Sequence, residues 1–236
     1  MSTAQCGPKR ALSARLAAGL VMAVLIGFGG CGGDSGPDFG DNDPELIVAI
    51  GDSITFGYGD IGVTDCVPAY RTLGGYPPRL AALTNKHVIN AGVCGEDSFG
   101  GVDRVQRLLD RWHPGVLLID YSPNDVINGT HALLANLRTM ALAAKRNKTV
   151  PVLGTMTPAT GEHGAWMHFI EAGNDGIRAL CNELDIRCAD HFQSFVSDPG
   201  YVTSPYFLLS EDGLHPNAAG YSLMARTWSE QLEKVY

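Results

Sequence analysis

Short apolar runs alternate with amphipathic stretches through most of this chain. Residues 46–50, 88–90, 116–120, 150–153 and 186–189 are aliphatic or β-branched runs, and they predict strands. Between them, apolar positions recur at spacings of three and four over residues 80–83, 102–111, 131–146 and 169–183, and again over 218–235. Those stretches predict helices. Strand and helix in alternation predict an α/β fold: a three-layer α/β/α, flavodoxin-like sandwich around a parallel five-stranded sheet. The strand runs are almost continuously apolar, which suits a sheet covered on both faces.

The N-terminal end follows a different pattern. Lys9, Arg10 and Arg15 precede an apolar stretch from Leu16 to Phe28, then Gly29, Gly30 and Cys31. That order predicts an export signal over residues 1–30. It resembles a bacterial lipoprotein signal, with Cys31 as the lipidated first residue of the mature chain, although Phe28 stands where such signals usually carry Leu. The alternative is a plain secretory signal cleaved nearby. The apolar stretch is shorter than the ~20 residues a membrane-spanning helix needs. Gly32 rather than Asp after Cys31 favours the outer membrane in a cell that has one. Residues 31–45, rich in Gly and Asp, predict a flexible acidic tether, and residues 46–236 a single domain. The expected location is the cell envelope, with the membrane as partner through the lipid anchor.

Charge narrows the other partners. The chain carries a net charge of −8, and loss of the three cations of the signal takes it to −11. A surface so acidic repels phosphate backbones, so nucleic acid is not an expected partner. Four cysteines remain beyond Cys31: Cys66, Cys94, Cys181 and Cys188. An even number in an exported chain favours disulfides, and four allow three connectivities. A local bridge between Cys181 and Cys188 fits a helix end followed by a strand, which leaves Cys66 with Cys94. The alternative is buried free thiols. Neither spacing suits zinc. His163 and His168, five apart, are off the spacing that puts two ligands on one helical face, so no metal or organic cofactor is expected.

The candidate chemistry lies at the two ends of the domain. Ser53 follows the first strand in Gly51-Asp52-Ser53, and Asp212 and His215 lie three apart before the last helix. A serine hydroxyl is a weak nucleophile until a histidine accepts its proton and a carboxylate orients that histidine. Ser53, His215 and Asp212 therefore make a candidate triad. A turn serine and a capping Asp are the bland readings of these residues taken singly.

Two further segments extend the pattern. Asn90-Ala91-Gly92-Val93-Cys94-Gly95-Glu96-Asp97-Ser98 starts at the end of the second strand run, and Asn124-Asp125 follows the third. With Ile50-Gly51-Asp52-Ser53 and Asp212-Gly213-Leu214-His215-Pro216-Asn217, these four ordered blocks resemble the SGNH (GDSL) hydrolase family, in its single-domain lysophospholipase and arylesterase branch. The resemblance implies a serine esterase with Ser53, Asp212 and His215 as catalytic residues. It implies an oxyanion hole from the backbone N–H groups of Ser53 and Gly95 and the side-chain amide of Asn124. Expected substrates are small-molecule or lipid esters, either short-chain acyl esters or lysophospholipids. Removal of O-acetyl groups from an envelope or extracellular polysaccharide is an alternative, as is a non-catalytic surface-tethered binding lipoprotein. Ser122 stands where the family usually has Gly, and with Pro123 it puts the substrate rim in question.

Two other motifs are set aside. The α/β-hydrolase elbow needs Gly-x-Ser-x-Gly, and Ile54-Thr55 follows Ser53 without the second Gly. Gly57 to Gly62 spells G-x-G-x-x-G, but Cys66 and Pro68 follow instead of a helix, so it reads as a loop beside the site. Trp166, Met167 and Phe169 fit either an acyl pocket or the core.

Overall fold

The computed structural model describes residues 36–121, 123–127 and 132–236. The expected signal, Cys31 and Ser122 lie outside the described residues. Five strands, β1 (Asp43–Gly51), β2 (His87–Gly92), β3 (Pro114–Asp120), β4 (Val150–Gly154) and β5 (Arg187–Ala189), pair in the order β2-β1-β3-β4-β5. Every pairing is parallel. Helices cover both faces, giving the three-layer α/β/α fold.

Alternation along the strands explains the two layers. Val48, Ile50, Leu117, Ile119 and Leu153 face one cluster, completed by α3 (Ser98–Trp112), α5 (Leu133–Arg146) and α6 (Met167–Leu184). Ile47, Ala49, Val116, Leu118 and Val152 face the other, against α2 (Tyr76–Thr84), α7 (His191–Val196) and α9 (Ala218–Leu232). Odd and even positions point to opposite faces of a strand, so a covered sheet needs apolar residues at both.

Chain order places a switch beside β1: after β2 on one side, the chain crosses to β3 on the other. Ligands of open parallel sheets bind beyond the strand C-termini at such a point. Two short helices start there, α1 (Ser53–Phe56) after β1 and α4 (Asn124–Ile127) after β3. Both are too short to show a helical period in sequence, and so is α8 (Pro199–Thr203).

One boundary differs from the sequence reading. The described part of the expected tether, residues 36–45, is not free chain. β1 begins at Asp43, whose N–H donates to the His113 carbonyl at 2.8 Å. Phe39 stacks on Tyr236 with ring centroids 5.9 Å apart, and Lys148 pairs with Asp38 at 2.8 Å. Two aromatic rings and an ion pair hold a segment that its composition marks as mobile.

Candidate active site

The turn that carries Ser53 is built by close approach. A side chain at Gly51 would place its Cβ 2.1 Å from the Asp120 carbonyl oxygen and 2.2 Å from Thr55 Oγ1, so only glycine fits between β3 and α1. Asp52 caps α1, its Oδ1 accepting from the Ile54 N–H at 2.8 Å. Ser53, the first residue of α1, is 8% exposed.

The loop before α9 brings up the other two groups. It closes through Ser210 N–H to the His215 carbonyl at 2.8 Å. Within that turn Asp212 Oδ1 accepts from Ser210 Oγ at 2.7 Å, Leu214 N at 2.9 Å and His215 N at 3.0 Å. Its Oδ2 lies 2.6 Å from His215 Nδ1, and His215 Nε2 lies 2.9 Å from Ser53 Oγ. Ser53, His215 and Asp212 thus stand in one hydrogen-bonded line. An ionised carboxylate only accepts, so Nδ1 carries the imidazole hydrogen and Nε2 presents its lone pair to the serine hydroxyl. Burial alone would raise the Asp212 pKa. Hydrogen bonds from His215, the Leu214 N–H and the Ser210 hydroxyl outweigh it and hold the carboxyl well below the ordinary carboxylate range.

Gly95 and Asn124 come to the same rim. Gly95 is exposed, has φ +72°, and nothing lies within 4 Å of where a Cβ would point. Among the described residues, neither the Ser53 nor the Gly95 N–H has a hydrogen-bond acceptor. Asn124 Nδ2 donates to the Glu96 carbonyl at 3.0 Å and faces Asp52 Oδ2 at 3.4 Å. It therefore bridges the residue before Ser53 and the residue after Gly95. Two donors without protein acceptors and an amide between them suit a developing oxyanion.

The loop after α1 packs on the histidine. The Tyr58 ring meets His215 edge-on at 4.7 Å, and a Cβ on Gly59 would lie 2.9 Å from His215 Cβ. A Cys66–Cys94 disulfide ties this region to the neighbour of Gly95. The second proposed bridge is corrected: Cys181 and Cys188 are free thiols. Cys181 Sγ contacts the Arg187 carbonyl at 3.8 Å, and the Cys188 thiol, together with burial, pushes the Cys181 pKa up. Trp166 and Met167 pack half-buried against the α3–α5–α6 core, whereas Phe169 is exposed. His163 Nδ1 meets the Asp212 carbonyl at 2.8 Å, and the His168 ring lies against Phe169. A surface cavity of about 520 Å³ beside the Asp212 turn is lined by Tyr206, Leu209, Ser210, Glu211 and Asn217. Among the described residues, no group of three or more His, Cys, Asp or Glu side chains is placed to hold a metal ion.

Sequence reasoning missed Ser210, Tyr58 and a charged pair, Glu96 with Arg104. The short Ser-x-Asp spacing, which lets a hydroxyl reach the carboxylate two residues on, could have found Ser210. No local pattern joins Tyr58 to His215, because the contact spans most of the chain.

Residues 49–223 match the GDSL-like lipase/acylhydrolase family. An arylesterase of Vibrio mimicus is 24% identical over 199 residues, covering 80% of this chain and 89% of that protein. A multidomain esterase of Ruminococcus flavefaciens is 27% identical over 232 residues, covering 79% of this chain. The chain spans only 28% of that relative's length. A solved member of the lipolytic protein G-D-S-L family from Veillonella parvula superposes with a TM-score of 0.65 at 20% identity. It covers 80% of this chain and 98% of that one, a likeness of fold.

The Asp212 carboxyl sets a pH dependence. Its folded-state pKa is depressed, so its contribution to stability is complete above its unfolded value of about 3.9 and is lost as pH falls toward the native pKa. Urea midpoints of wild type and Asp212→Asn should therefore differ most at neutral pH and converge on acidification below about pH 4. A gap that stays constant or widens on acidification would contradict the hydrogen-bonded turn.

Proposed function

The chain belongs to the GDSL-like lipase/acylhydrolase family, and we propose that it is a serine esterase with Ser53 as nucleophile, His215 as general base and acid, and Asp212 as the residue that orients His215. The observation that carries this reading is the line Ser53 Oγ, His215 Nε2 at 2.9 Å, and Nδ1 to Asp212 Oδ2 at 2.6 Å. The arylesterase and multidomain esterase among its relatives support it.

The chemistry runs in two halves. Ser53 Oγ attacks the ester carbonyl while His215 Nε2 takes the hydroxyl proton. The tetrahedral oxyanion is met by the N–H groups of Ser53 and Gly95 and by the Asn124 amide. Among the described residues, Asn124 Nδ2 donates to the Glu96 carbonyl and otherwise makes a 3.4 Å contact with Asp52, long for N–H···O, so the amide has a donor an oxyanion can recruit. Collapse expels the alkoxide, which takes the proton from His215 and leaves Ser53 acylated. Water then repeats the sequence, activated by the same histidine, and releases the acid. Asp212 stays ionised throughout and stabilises the imidazolium.

The proposed substrates are short-chain acyl esters or lysophospholipids. Rates on p-nitrophenyl esters from acetate to palmitate should distinguish them, peaking at short or at long chains respectively. Ser53→Ala should lose at least about 10³-fold in kcat at every length. Activity that survives the substitution would refute the assignment of Ser53.

We also propose export and lipid attachment at Cys31, supported by the order of basic residues, apolar stretch, Gly29-Gly30 and cysteine. Wild type expressed in a bacterium should partition into detergent, and Cys31→Ser should not. Equal partitioning of the two would rule out the anchor.

A further inference from the structure

Arg104 lies in α3, yet its guanidinium reaches back to the C-terminal edge of the sheet. Nη1 donates to the Ala91 carbonyl at 2.7 Å, at the end of β2. Nη2 donates to the Gly51 carbonyl at 3.1 Å, at the end of β1. Nε and Nη2 hold the Glu96 carboxylate at 2.9 and 2.6 Å, and the Tyr121 hydroxyl donates to the same Glu96 at 2.7 Å while lying 3.3 Å from Nη2. The Arg104 and Glu96 side chains are 14% and 13% exposed.

Three of these four acceptors sit close in sequence to the three donors assigned to the oxyanion. Gly51 is two residues before Ser53, Glu96 directly follows Gly95, and Tyr121 is three residues before Asn124. Glu96 acts twice, because its carbonyl accepts from the Asn124 amide while its carboxylate holds Arg104. The three donors belong to three separate segments, and this pair contacts all three.

The first turn of α3 is shaped around the pair. A Cβ on Gly100 would lie 2.5 Å from Glu96 Cγ, and one on Gly101 would lie 2.3 Å from the Tyr121 hydroxyl. Glycine inside a helix is unfavourable, and two in succession more so. Here the close approach of Glu96 and Tyr121 accounts for both. A guanidinium offers five donors in one plane, and a lysine ammonium cannot reach two carbonyls and a carboxylate at once.

We propose that Arg104 and Glu96 are positioning residues that fix the Ser53, Gly95 and Asn124 donors relative to one another, and so set turnover more than substrate affinity. This rests on the serine-esterase reading above. Neither residue touches the reacting atoms. Their effect is on where the oxyanion donors stand, and that matters in the transition state more than in the bound ester.

The test uses the full chain and p-nitrophenyl acetate, comparing wild type, Ser53→Ala, Arg104→Lys, Arg104→Ala and Glu96→Gln, with melting temperatures measured alongside. Arg104→Lys and Glu96→Gln should lower kcat by about 10–10²-fold at temperatures where they remain folded, with KM within about threefold of wild type. The shape of the pH–rate profile should not move, since the Ser53–His215–Asp212 line is untouched. If Arg104→Ala does not fold, the two conservative variants decide. Variants that melt earlier but turn over like wild type would make the pair a structural ion pair only and overturn the inference. So would a rise in KM with kcat unchanged. Both of those results leave the esterase reading intact. Absence of any Ser53-dependent hydrolysis in wild type would instead remove that reading, and this inference with it.

Discussion

Gly51 pairs with Gly92 on one side and with Asp120 on the other, and that register sets the height at which three strands end. Because β1, β2 and β3 stop level, the segments that follow them begin on one rim. Ser53 is two residues past that line, Gly95 three past Gly92, and Asn124 four past Asp120. A slip of one residue in either pairing would turn every core side chain of the strand to the opposite face. The apolar residues at both odd and even strand positions, committed to two different helix layers, oppose such a slip. The same packing that stabilises the sheet therefore aligns the groups at its edge.

The fourth segment is not on the sheet and is placed by other means. The turn from Ser210 to His215 is closed by its own hydrogen bonds and by the Leu209–Pro216 bridge. It is braced from outside by Thr160 N–H to the Gly213 carbonyl at 2.7 Å and by His163 on the Asp212 carbonyl. The Tyr58 ring packs edge-on against His215, and the Tyr221 hydroxyl of α9 holds the Tyr58 carbonyl at 2.6 Å. A histidine on a loop thus gains the fixed orientation that proton transfer needs, without belonging to a regular element.

The strands and the long helices were legible because burial on two faces leaves near-continuous apolar runs, and burial on one leaves a helical period. Val116 to Asp120 and the helical pattern of α6 are of this kind. Elements governed by one or two contacts left no such trace. The pairing of Asp43 with Pro114 extends β1 into acidic chain that reads as tether. The helices α1 and α4 are single turns set by the loops they begin. At the site, Ser53, Asp212 and His215 stood out because each residue type has a distinct chemical task. Glu96 and Arg104 did not, since charged residues on a helix and loop read as solvated surface until the fold buries them. Counting cysteines led to two bridges, but parity says nothing of geometry. Cys181 and Cys188 remain thiols beside one another, while Cys66 and Cys94 join.

The proposed mechanism requires that Ser53, Gly95 and Asn124 surround the oxygen that becomes charged when Ser53 is acylated. A crystal structure of the chain after reaction with a fluorophosphonate tests it most directly, because the phosphoryl oxygen of the adduct stands where the oxyanion would be. The expected structure has a covalent bond to Ser53 Oγ, with that oxygen within about 2.7–3.1 Å of the Ser53 N–H nitrogen, the Gly95 N–H nitrogen and Asn124 Nδ2. An adduct on another residue, or a phosphoryl oxygen turned away from these three donors, would contradict it.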